Sequence, residues 1–212
     1  MEIETSKILG GVGAVLMLIG MIGFAYSYLG VITLVGLILV MIGLFNLAKY
    51  YSESGIFNNA LYGLIIGIVG GVVSVAVAVA AVLSSLTDFF YAIFPGWNGD
   101  WTQLPGTMPD WSNLSMDVLT SIAVGIIAVA IILWVSAIIA TFFAKRSLGS
   151  LATKSGVGLF STAGLLLFIG ALLTIVLIGF VLIWIAVLLA AIAFFRMKFQ
   201  QPQLTTSAAA PV

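Results

Sequence analysis

The chain has 212 residues, 63% hydrophobic and 7% charged, with a mean hydropathy of +1.31. A soluble domain is about 25% charged, and no soluble core could hide this much apolar surface, so lipid must be the solvent for much of it. Net charge is zero, which leaves no basic field for nucleic acid; His and Cys are absent, which removes disulfides, thiolate ligands, cysteine nucleophiles and the commonest general base.

The first stretch, "MEIETSKILGGVGAVLMLIG", has two glutamates before its apolar run and only one lysine. No small-x-small cleavage site is followed by a soluble domain, so it reads as a retained first span rather than a signal peptide. Apolar runs then cover residues 8–47, 60–94, 118–144 and 157–195. A hydrocarbon core about 30 Å thick needs roughly 20 helical residues. The first and last runs are each about twice that length at about 1.5 Å per residue, so each is expected to be a tight helical hairpin.

The charges support this. Lys7 and Lys49 flank the first run, Lys145 and Arg146 close the third, and Lys154, Arg196 and Lys198 flank the last. Positive flanks belong on the cytoplasmic side, so basic residues at both ends of a run require an even number of crossings. The segment 95–117 has no Lys or Arg but carries Asp100, Asp110 and Asp117, which marks an outer loop. The expected architecture is all-α and polytopic: six transmembrane helices, as two helical hairpins plus a central pair, N-in and C-in. The spans fall at about 8–25, 29–48, 57–83, 118–143, 157–174 and 179–196 within a single domain, residues 1–198. The tail 199–212, "QQPQLTTSAAAPV" from its second residue to its end, is expected to be a disordered cytoplasmic segment. "GAVLMLIG" at 13–20 also aligns with "AGLLLFIG" at 163–170, which suggests a parallel repeat of the two hairpins.

Candidate chemistry is sparse. No ionisable group lies in the middle of any expected span, which weighs against a proton-coupled pump. Gly63 and Gly67 form a small-xxx-small pair suited to close helix packing. Gly70–Gly71 suits packing too, with an unwound transporter hinge as the alternative. Ser74, Ser136 and Thr174 would line any water path. In the turn "KYYSESGIFNNALYGL" (49–64), Lys49 suits a helix C-terminus and Ser54 can cap the next helix. Asn58 and Tyr62 share a face, and Asn59 and Gly63 the adjacent stripe; with Gly67 they form a candidate helix-packing or headgroup site. The outer loop offers Trp97, Asp100, Trp101, Asp110 and Trp111, either an interfacial aromatic belt or a docking surface. Asn113 heads an N-glycosylation triplet there.

The segments "LGGVGAVLMLIG", "YYSESGIFNNALYG" and "GLFSTAGLLLFIGALLTIVLIGFVLIWIAVLLAAIAFF" resemble the small, largely archaeal, integral membrane family catalogued as domain of unknown function 996. The resemblance covers about residues 8–198, and "GIFNNALYG" is its most specific part. It implies a multi-spanning membrane protein with no assigned activity and no catalytic residues to carry over. The expected role is a non-enzymatic accessory or scaffold component in the cell membrane. It would need no cofactor or metal, and its partners would be the bilayer and other membrane proteins or further copies of the chain. The alternative is a small transporter or channel for an uncharged or weakly polar solute. A lipid enzyme using Asp88, Asp100, Asp110 or Asp117 ranks third.

Overall fold

The computed structural model describes residues 3–22, 29–94, 96–100, 102 and 108–198. Six α-helices occur among them: α1 (Ile3–Ile22), α2 (Leu29–Tyr50), α3 (Ser54–Ile93), α4 (Met116–Ser155), α5 (Leu159–Leu172) and α6 (Ile178–Arg196). Short 3-10 turns occupy Trp111–Asn113 and Leu173–Val176. All six segments are long and apolar enough to cross a membrane, α5 when counted with the turn that follows it. The chain is therefore all-helical, as expected. The expected turn between the spans 8–25 and 29–48 and the tail 199–212 lie outside the described residues, as does the expected end of the first span at 23–25.

Helices α3 and α4 have 40 residues each and outrun the stretches 57–83 and 118–143 marked by hydropathy. A charged or hydroxyl side chain ends an apolar run but does not end a helix. The backbone ladder continues until something breaks it. Pro95 follows just after the end of α3, and Gly156, at φ +70°, closes α4 in the left-handed conformation that glycine adopts without steric cost.

The antiparallel α3–α4 pair is the most extensive helix contact. A Cβ added to Gly63 would come within 2.7 Å of the Ala140 carbonyl oxygen, and one at Gly125 within 2.9 Å of the Ala81 side chain. Gly70 faces Ser136 still more closely. These glycines act as packing surfaces, and α3 stays helical through Gly70–Gly71. The hairpins α1–α2 and α5–α6 flank this pair, and α1 closes against α6. Each helix thus touches its neighbours in sequence, and the six form a ring. The α2–α3 seam is its most sparsely packed joint.

The ring has a tight end and a loose end. Both described chain ends meet at the tight end, where Lys7 Nζ donates to the Met197 carbonyl at 2.9 Å. There Leu44, Leu47, Ile56, Leu151, Phe160, Phe194 and Met197 form a fully dry core, with Phe160 and Phe194 edge to face at 5.0 Å. Beyond it the hairpins stop early. Trp134 Nε1, midway along α4, donates to Ala171 O at the end of α5 at 3.1 Å. Leu34, one turn into α2, lines the same groove as Ile68. The start of α2 and the end of α5 therefore sit near the Gly70–Ser136 level, while α3 runs on to Ile93 and α4 starts back at Met116. At about 1.5 Å per residue, a two-helix arm extends roughly 30–35 Å beyond that level.

The glycine contacts give opposite expectations along one helix. Gly63→Leu drives a side chain into the backbone of α4 and should destabilise the protein by about 1–3 kcal/mol. Gly71 has nothing within 4 Å of an added Cβ, so Gly71→Ala should be neutral or stabilising by up to about 1 kcal/mol. Thermal unfolding of both variants in mild detergent measures the contrast.

Candidate functional site

The turn between α2 and α3 is built by the backbone. Ser52 takes a left-handed φ of 50°, and the Glu53 N–H returns to Ala48 O at 2.9 Å, which satisfies the end of α2. The residue capping α3 is Glu53, not the expected Ser54, and it makes no side-chain cap bond. Its carboxylate reaches Lys154 instead, at 3.4 Å, joining this turn to the end of α4. The pair is half exposed, so it contributes only about 0–1 kcal/mol.

The five residues Asn58, Asn59, Tyr62, Gly63 and Gly67 do not converge. Asn59 Nδ2 donates to Gly55 O one turn back, at 2.7 Å. Gly63 is buried against α4. Asn58 and Tyr62 point outward, and Tyr62, 52% exposed, lays its ring edge-on to Phe143 at 5.8 Å. Gly67 lines the interior of the ring with open space before it, its nearest neighbour being Ala140 Cβ at 4.0 Å. The set divides between an outward face and an inward one.

The loop beyond α3 divides similarly. Trp97 is buried, packs on Phe90 and Tyr91, and donates from Nε1 to Asp100 O at 2.8 Å. Trp111 is 61% exposed and touches Phe89. Trp101 lies outside the described residues. Asp100 Oδ1 accepts from the N–H and hydroxyl of Thr102, and Asp110 Oδ1 from those of Ser112, while Asn113 Nδ2 donates to Asp110 Oδ2. Both aspartates hold local turns. Hydrogen bonds from the Ser112 hydroxyl, then its N–H, then Asn113 hold the Asp110 carboxyl below its ordinary value of 3.8.

What the sequence reading missed is at the centre of the ring. A cavity of about 440 Å³ is lined from all six helices, by large apolar side chains interspersed with small residues: Ala14 on α1, Ala60, Gly63 and Gly67 on α3, Ala140 and Ala144 on α4, Ala163 on α5, Ala186 and Ala190 on α6, with only large residues on α2. Six helices held apart by their outer contacts leave a central space that alanine and glycine cannot fill. Leu44 and Phe194 of the dry core floor it. Its wall is almost wholly apolar. Thr141 donates to Ala137 O at 2.7 Å, and the buried Ser147 hydroxyl donates to Ile56 O. Ser74, Ser136 and Thr174 are not in the wall; each bonds a carbonyl of its own chain segment three or four residues back. The signal available in the sequence was the alternation of alanine with large residues along α4 and α6.

Residues 32–188 match the family model described as "Protein of unknown function (DUF996)". The chain belongs to this family. It is also similar to "Uncharacterized protein MJ1644" of Methanocaldococcus jannaschii, at 27% identity over 197 residues, covering 93% of this chain and 94% of that protein. No solved structure matches. The family match begins within α2 and ends within α6, so it takes in α3–α5 whole and most of the cavity wall.

The loop cap carries a pH dependence of known sign. Because the folded carboxyl of Asp110 lies below its ordinary value, its stabilisation is complete above that value of 3.8 and is lost as the pH falls through the lowered one. The Ser112 amide resonance should stay protected at neutral pH and lose protection on acidification, and Asp110→Ala should abolish the protection at every pH.

Proposed function

We propose that the protein is an integral component of the cell membrane, with both termini cytoplasmic, that works without catalysis by packing against other membrane proteins through the α3–α4 arm. The placement follows from matching charge to apolar length. Between Tyr62 and Ser84, α3 has an unbroken apolar and small-residue stretch, residues 63–83, interrupted by one serine that bonds its own helix. Between Ser121 and Lys145, α4 has a matching one, residues 122–144. At about 1.5 Å per residue these measure roughly 31 and 34 Å, the thickness of a hydrocarbon core. Lys145 and Arg146 then mark the cytoplasmic interface, with the other five basic residues beyond it.

The turn between α5 and α6 falls halfway along those stretches, and its make-up agrees with that depth. It holds Ile175, Val176 and Leu177, with Ile175 67% and Leu177 72% exposed, and Leu177 sits at φ 63°. A left-handed turn residue facing water is normally Gly or Asn. Leucine there costs about 1–2 kcal/mol of backbone strain, and lipid contact offsets the exposure of its side chain. The α5–α6 hairpin is thus re-entrant from the cytoplasmic side, while α3 and α4 cross fully.

The observation that carries the packing role is a stripe on the arm. Val72, Val75, Val79, Val82 and Leu86 are all exposed and recur at intervals of three and four, the spacing at which one helix seats along another. Among the described helices α4 packs along this half of α3, the loop with Trp97 and Trp111 meets only its last turns, and the stripe lies on the flank away from α4. In lipid, helix association rests on such close steric fit.

The native chain lacks cysteine, so single cysteines report cleanly. Cysteines at Val75 and Val79 should crosslink in native membranes to one discrete partner polypeptide, or to a second copy as a band of twice the mass. Labelling without any discrete adduct would reject the packing role. A cysteine at Ile175 should resist membrane-impermeant maleimide from both sides, while one at Met108 reacts from outside. Equal reaction of the two from outside would mean that the hairpin crosses fully.

A further inference from the structure

We infer that the central cavity holds one hydrocarbon chain of an anionic phospholipid, which enters from the cytoplasmic leaflet through the seam between α2 and α3. The inference rests on the membrane placement above and adds a ligand to it.

The cavity fixes the chemistry of its occupant. Its volume of about 440 Å³ falls within the range of about 300–1,000 Å³ typical of ligand sites. Its two hydroxyl groups, on Thr141 and Ser147, already donate to backbone carbonyls. Water entering it would find almost no hydrogen-bond partners, and an apolar space of this size either stays dry or takes an apolar guest. Left empty, it forfeits the dispersion contacts of its lining.

The seam supplies the way in. A groove on the outer face of the ring runs between α2, from Leu34 to Phe45, and α3, from Phe57 to Ile68. Leu37, Met41, Leu64 and Ile68 line both this groove and the cavity. These four side chains stand between the two spaces, with the flexible Met41 among them, at the most sparsely packed joint of the ring. The groove faces the bilayer, so the solvent at its mouth is lipid chain.

The cytoplasmic end of the groove supplies the charge. Phe45 and Phe57 meet there edge to face at 5.0 Å, and Lys49 Nζ sits 4.2 Å from the centre of the Phe45 ring. A cation at the interface, with a continuous apolar path leading from it into the ring, matches a phosphate-headed lipid whose chain turns inward. On the opposite side of the ring the described α4–α5 and α5–α6 joints are packed close, by Gly164 on the Lys145 backbone and by Gly170 on Ile183 and Gly179.

The test reconstitutes the full chain in vesicles of phosphatidylcholine and phosphatidylglycerol in equal parts, re-extracts it in mild detergent and weighs it by native mass spectrometry. The wild type should retain one lipid, enriched in phosphatidylglycerol. Gly67→Phe projects a ring into the cavity without meeting backbone and should lose the lipid while keeping its helix content; Ala190→Phe, from the opposite wall, should do the same if Gly67→Phe folds poorly. Lys49→Ala should retain a lipid but lower the preference for phosphatidylglycerol about fivefold, the effect of one interfacial cation. Retention undiminished in a folded Gly67→Phe or Ala190→Phe, or a wild type that emerges without lipid, overturns the site. An unchanged headgroup preference in Lys49→Ala overturns the entry path past Lys49. If the wild type floats with the vesicles yet carries no lipid, the membrane placement stands and only the site falls; if it does not float, both fall.

Discussion

The fit of α3 against α4 sets the level of everything else in the molecule. It depends on backbone approach at Gly63, Gly70 and Gly125, where a methyl group on any of the three would meet Ala140, Ser136 or Ala81. Lipid provides no hydrophobic drive for helices to associate, so contact of this closeness is the available source of cohesion. Once the register is fixed, Lys145 and Arg146 on α4 lie level with the start of the apolar stretch on α3. The hairpins, which dock on the half of the pair that carries Lys145, are then held at a definite level along it. A one-turn slip of the pair would displace every polar group by about 5.4 Å relative to the interface.

Polar groups inside the apolar zone obey one rule. Ser74, Ser136, Thr141 and Thr174 each donate back to a carbonyl three or four residues earlier, Asn59 does so with its amide, and the Trp134 indole finds the free carbonyl of Ala171 at the end of α5. Among the described residues no buried side-chain nitrogen or oxygen lacks a partner. Where water is absent, an unpaired polar group costs several kcal/mol, on the order of the whole margin of stability. The same accounting explains why the cavity can be large yet empty of polarity: its two hydroxyl groups are spent on structure, and what remains facing the space is methyl and methylene.

Much of this architecture was legible in the residues. Two apolar runs of double length, each with basic flanks, announced the hairpins, and the paired glycines of α3 announced a packed face. The lengths of α3 and α4 were not legible from hydropathy, because Ser84, Asp88, Lys145 and Arg146 end an apolar stretch while leaving the helix intact. The candidate site was legible only as separate residues. Asn58 and Asn59 are adjacent in sequence but about 100° apart on a helix, so one faces outward while the other bonds its own turn. The cavity left only a faint local signature, the alanines spaced along α4 and α6. Its alanines and glycines are ordinary packing residues on their own helices and border a void only when six helices close into a ring, through the contact of α1 with α6.

Burial and charge are distributed together along the ring. At the end that carries both described chain ends, Leu47, Ile56, Leu151 and Phe160 have no measurable exposure and the surrounding surface carries Lys49, Glu53, Lys154 and Arg196. Past Lys145 the pattern inverts, and most of the exposed large side chains are Val, Ile and Leu. On the proposed placement this inversion falls at the solvent boundary. Were the hairpins to cross the full bilayer instead, Lys145 and Arg146 would be drawn about 15 Å into lipid and the valine face of the arm would stand in water, and both are costly. An exposed leucine at φ 63° in the α5–α6 turn agrees with a turn in lipid better than with one in water, where glycine or asparagine takes that conformation.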